Sequence, residues 1–76
     1  MTVQRGVPEP VSRQLAAILR AQIESGELPP GSPLPSIVKL AETYGIATAT
    51  VSKAIRILKA EGLVFGVGGH GTFVRK

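Results

Sequence analysis

The stretch LAETYGIATATVSKAIRILKAEGLV, residues 40–64, decides how this chain folds. Its second half carries Val51, Ala54, Ile55 and Leu58 at steps of three and four residues. At about 100° per residue, that spacing puts all four on one side of a helix. The helix is predicted to open near Thr48 and to run to about Ala60, stopped by Glu61-Gly62. Ala49, Ser52, Lys53 and Arg56 then fall on the reverse side, with Thr48 and Thr50 at its N-terminal end. Upstream, a short helix starts at Ser36, whose hydroxyl suits the cap of the first free backbone N–H groups. Leu40, Ala41 and Tyr44 form its inward face, and Gly45 breaks it, since glycine accepts the left-handed backbone of a tight turn. Two helices joined in so few residues make a helix-turn-helix.

The flanks extend that unit in both directions. Val11, Leu15, Ile18, Leu19 and Ile23 make an apolar stripe and predict a helix over Val11–Ser25. Pro10 suits its start and Gly26 the left-handed position after its end. ELPPGSPLP, residues 27–35, holds four prolines in nine residues and reads as an extended, stiff connector. Downstream the period changes. Leu63-Val64-Phe65 and Thr72-Phe73-Val74 are β-prone runs around the glycine-rich stretch 66–71, which predicts a two-stranded hairpin. A lone hairpin is marginal in water, so it is expected to pack on the helices through Leu63, Val64 or Phe73. The fold class is therefore mainly α, a three-helix winged helix-turn-helix with a C-terminal two-stranded β-hairpin wing. Residues 1–9 show no periodicity and read as a flexible N-terminal arm, and residues 10–76 read as the domain.

Composition bounds what such a domain does. At 76 residues without cysteine, neither a disulfide nor cysteine-ligated zinc staples the fold. Apolar packing has to carry it, and 43% hydrophobic residues suffice for one core. Tyr44, Phe65 and Phe73 are its only aromatics, so that core is aliphatic. No apolar run approaches the roughly 20 residues of a membrane span, and the opening MTVQRGVPEP is too polar for a secretion signal. The expectation is a cytoplasmic, nucleoid-associated protein with no membrane contact. Nine basic against five acidic side chains, a net charge of +4, favour a polyanionic partner.

The placement of those charges carries the functional reading. The reverse side of the third helix has small and hydroxyl side chains first, cations a turn later, and no acid before Glu61. That is the order a helix needs to enter the major groove. Small groups permit close approach, hydroxyls reach base edges or phosphates, and Lys53 and Arg56 neutralise phosphate or read guanine. The hairpin tip matches G-x-G-x-x-G from Gly66 to Gly71, but a dinucleotide site requires a following helix and a further strand, for which five residues leave no room. The better reading is a slim wing on a phosphate strand or in the minor groove, with His70, and Arg75 beside it, placed to contact phosphate. Catalysis has no support. A single histidine makes no His-His metal pair, no serine has a base and orienter, and the five glutamates are scattered. Neither a metal nor a cofactor is expected.

The segments LAAILRAQIESGELPPGSPLPS, LAETYGIATATVSKAIRILKAEGLV and GGHGTFV, in this order and spacing, resemble the N-terminal DNA-binding domain of the gluconate-repressor (GntR) family of bacterial regulators. The resemblance covers Val11 to Val74 and implies a winged domain on a roughly two-fold symmetric operator in double-stranded DNA, with repression by blocking transcription. Thr50 matches a threonine that touches the backbone at the start of the recognition helix, and Gly69, Gly71 and Thr72 match the wing motif. The DNA-binding set is then Ser36, Thr48, Ala49, Thr50, Ser52, Lys53, Arg56, Gly69, His70, Gly71 and Thr72. There are departures. Ala47 stands where the family places a capping Ser or Thr, which assigns the cap to Thr48. Thr48 and Ser52 stand at positions often occupied by arginine, and Ile37-Val38 where Glu-Arg is common. These replacements imply a different operator preference, or more dependence on Lys53, Arg56 and DNA shape. No effector site is expected within the chain, and two copies are expected per operator, as a homodimer formed on DNA. The competing reading is a winged-helix protein-interaction or architectural accessory module of a plasmid or mobile element.

Overall fold

Among the described residues two helices pack against a third, and a two-stranded hairpin closes one side. The computed structural model describes residues 10–69 and 71–75, so the expected arm at 1–9 and His70 lie outside the described residues. Helix α1, Val11–Ser25, buries Leu15, Ala16, Ile18 and Leu19, with Val11 and Ile23 half-buried against them. The apolar stripe thus becomes the face set against α3. Gly26 ends the helix at φ 88°, its N–H donating to the Ile23 carbonyl.

Helix α2, Ile37–Tyr44, starts as expected at Ser36, whose Oγ accepts the Lys39 N–H at 3.1 Å. Leu40 and Ala41 are buried, and Tyr44 is half-buried against the core. Gly45, at φ 65°, turns the chain, and the Ile46 N–H donates back to the Ala41 carbonyl. Three residues later α3 begins, Thr48–Ala60, burying Val51, Ala54, Ile55 and Leu58, the four residues read as its inward side. The expected cap at Thr48 is corrected. Thr48 is the first helical residue, and Ala47 occupies the cap position in extended backbone with no side-chain bond to the helix. An alanine there leaves a first-turn N–H without the acceptor that a hydroxyl would supply. Ala47→Ser is therefore expected to stabilise the domain by about 1 kcal/mol. Thermal unfolding should show a rise of several degrees, and an unchanged midpoint would mean that water already serves this helix end equally well.

The hairpin is longer than its β-prone residues indicate. Strands β1, Val64–Val67, and β2, Gly71–Val74, are antiparallel and pair Val64 with Val74, Phe65 with Phe73, Gly66 with Thr72 and Val67 with Gly71. Gly66, Val67 and Gly71 thus belong to the ladder. The wing is anchored by Val64 and Val74, one rung that points into the core at 2% and 0% exposure, with Leu63 half-buried beside it. Of the three residues offered for packing on the helices, Leu63 and Val64 serve and Phe73 does not. Alternation along the strand sends it outward with Phe65, the two rings stacking at 6.1 Å between centroids.

The proline-rich connector does more than span a gap. Ser32 accepts the Val74 N–H and Leu34 donates to the Thr72 carbonyl, both at 2.8 Å, making an antiparallel bridge of Pro33 to Phe73. Gly31 adds a bond to the Val74 carbonyl at 2.9 Å. The bridging bonds come from the neighbours of Pro33, so its missing N–H costs nothing there. Leu34, beside it, is buried. The hairpin thereby gains a third edge of backbone and stands firmly on the helical body.

Candidate nucleic-acid interface

Burying one side of α3 fixes what its other side presents. Thr48, Ala49, Lys53 and Arg56 are exposed, and Thr50 and Ser52 are half-buried beside them. Neither Lys53 nor Arg56 makes a hydrogen bond or ion pair with any described residue, so both cationic heads are left to solvent. No acidic residue lies within α3. Glu61, directly after it, is drawn toward α1, where Arg20 donates two hydrogen bonds to its carboxylate at 2.8 and 2.6 Å. Those bonds lower the Glu61 pKa and raise that of Arg20. The first acid after α3 is thus paired with a cation of α1.

The structure brings three of the predicted residues together from two elements. Ser36 at the start of α2, and Gly71 and Thr72 on β2, line one open groove of about 360 Å³, to which α3 contributes Ile55. Ser36, Gly69 and Gly71 are exposed and Thr72 is half-buried. The Ser36 hydroxyl accepts a bond from Lys39, which leaves its own hydrogen to donate outward. Arg75 does not accompany the wing tip. It sits at the wing root, its guanidinium 5.9 Å from the centre of the Phe65 ring.

Sequence reasoning missed one feature of this surface. Lys59 carries its ammonium nitrogen over the wing, 3.1 Å from where a Cβ at Gly66 would stand. Its place three residues beyond Arg56 was the available signal. Ile37 and Val38, read from the sequence as standing where Glu-Arg is common, are the exposed apolar residues in the first turn of α2. Among the described residues, no cluster of His, Cys, Asp and Glu is suited to a metal ion, and no helix is long and apolar enough to cross a membrane.

A family model described as bacterial regulatory proteins, gntR family, matches residues 11–74. The chain is 42% identical over its whole length to the HTH-type transcriptional repressor NagR of Bacillus subtilis, of which it spans 31%. It is 37% identical over 68 residues, 90% of its length, to the mannosyl-D-glycerate transport/metabolism system repressor MngR of Escherichia coli, spanning 28% of that protein. Among solved structures, YtrA of Sulfolobus acidocaldarius, a GntR-family transcription factor, superposes with a TM-score of 0.90 at 33% identity. That match covers 99% of this chain and 79% of YtrA. The AraR DNA-binding domain in complex with operator ORX1 superposes with a TM-score of 0.86 at 30% identity, covering 93% of this chain and 89% of the other.

Proposed function

Because the chain belongs to the gntR family of bacterial regulatory proteins, we propose that it is the sequence-specific DNA-binding unit of a transcriptional repressor. The observation that carries this reading is the outer side of α3, with Lys53 and Arg56 exposed, unpaired among the described residues and unopposed by any acid in the helix. In the proposed complex α3 enters the major groove. Thr48, Ala49, Thr50 and Ser52 permit close approach and supply hydroxyls, while Lys53 and Arg56 meet guanine or phosphate. The wing, through Gly69, His70, Gly71 and Thr72, follows a phosphate strand or the minor groove. Ser36 donates to phosphate from the start of α2. The relatives named as repressors and the AraR domain bound to its operator support this assignment. Two copies act on a two-fold symmetric operator, the repressor works on the nucleoid in the cytoplasm, and the unit itself holds no effector.

Selection of bound duplexes from a random pool tests the reading. The expected result is one enriched site with two-fold symmetry, bound more weakly as salt rises because counterions are released from the phosphates. A pool that returns no enriched sequence, or binding indifferent to salt, would overturn it.

A further inference from the structure

Helix α2 begins with two apolar side chains that the core leaves partly exposed. Ile37 is 39% and Val38 60% exposed, while Leu40 and Ala41, a turn later, are buried. Both border the groove whose opposite wall is the wing at Gly71 and Thr72, with Ser36 beside them and Ile55 of α3 contributing. No charged residue stands in α2 before Lys39. The described residues leave most of Val38 exposed.

The groove names its occupant by where it lies. Its walls come from the connector at Pro33, Leu34 and Pro35, from the start of α2, from Ile55 of α3 and from the wing, and three of its residues (Ser36, Gly71 and Thr72) already belong to the proposed DNA-contacting set. A duplex seated on that set runs past Val38. Most groups that a duplex offers there are phosphate oxygens and polar base edges, poor matches for a bare isopropyl group. The 5-methyl of thymine is the apolar exception on the major-groove edge, and apolar contact is how a side chain reads it. We propose that Val38, backed by Ile37, is a specificity residue that packs on the 5-methyl group of a thymine in each operator half-site. This rests on the DNA-binding reading above and adds to it a base preference at one position, made without a hydrogen bond.

The test uses the selected operator, with each symmetry-related pair of thymines replaced in turn by deoxyuridine, which removes only the methyl. One pair is expected to weaken binding by the chain about three- to fivefold per half-site, the effect of withdrawing one buried methyl. Val38→Ala, at an exposed position where alanine favours the helix, keeps the fold. It is expected to bind the thymine operator more weakly and to lose the discrimination against uracil at that pair. Equal binding of thymine and uracil duplexes by the parent chain overturns the proposal. So does undiminished discrimination by Val38→Ala, or a variant that weakens both duplexes alike, which would mark a sequence-blind sugar contact. A parent chain that binds no duplex at all is a different result and sinks the DNA-binding reading together with this one.

Discussion

Lys53→Ala and Arg56→Ala are each expected to weaken operator binding by about 1–3 kcal/mol where the side chain reads a base, and by less where it meets only phosphate. The two residues stand three apart on α3, so they share one stretch of helix surface. Both are exposed, on the side opposite Val51, Ala54, Ile55 and Leu58. Removing either takes nothing from the core and breaks no ion pair with a described residue. The double variant should therefore unfold at the temperature of the parent while losing well over tenfold in affinity. The two roles separate on two axes. Losing a base contact relaxes the sequence preference at one position. Losing a phosphate contact weakens binding to all duplexes alike and lowers the salt slope by about one unit. Fluorescence anisotropy at several salt concentrations, on cognate and scrambled duplexes, reads both. A double variant that binds like the parent would remove α3 from the interface.

Leu58→Ala should act in the opposite manner, through the fold. Leu58 is fully buried on α3, the helix that α1, α2 and β1 all contact. Truncating a leucine in such a site loses transfer free energy and leaves a cavity, at a cost of about 2–5 kcal/mol. A domain of this size is stable by only about 4–11 kcal/mol on the usual per-residue scale, so the variant keeps a narrow margin. With about 4–8 °C lost per kcal/mol, its midpoint should fall by on the order of 10–30 °C. Any loss of DNA binding should track the unfolded fraction. Thermal unfolding by circular dichroism checks this, and a fall of less than about 4 °C would mean that the core closes over the lost side chain.

Helices were legible because their signal is local. The residues that bury α3 are neighbours three and four positions apart, so the apolar spacing and the stop at Gly62 were enough to set its bounds at Thr48–Ala60. The same holds for Val11–Ser25, closed by Gly26, and for the Ser36 cap and Gly45 turn of α2. Once the inward side of α3 is known, the cationic side follows by geometry, which is why Lys53 and Arg56 could be named in advance. The hairpin was read less well. β-propensity marked Phe73 and stopped at the glycines, whereas the register pairs Gly66 with Thr72 and Val67 with Gly71 and turns Phe73 outward. Glycine and proline carry no apolar signal, so the rungs they occupy are invisible to a reading of side chains.

From the amino acids alone came the three helices, the turn between the second and third, and the two faces of α3. Each of these is decided by residues within a few positions of one another. Tertiary structure alone decided that residues 31–34 lie along β2 some forty positions later. It also decided that Val64 and Val74 anchor the wing, that Arg20 draws Glu61 toward α1, and that Ile37 and Val38 stay partly exposed beside the wing. These are meetings of distant segments. They depend on where the packed helices set their ends in space, which no local periodicity encodes.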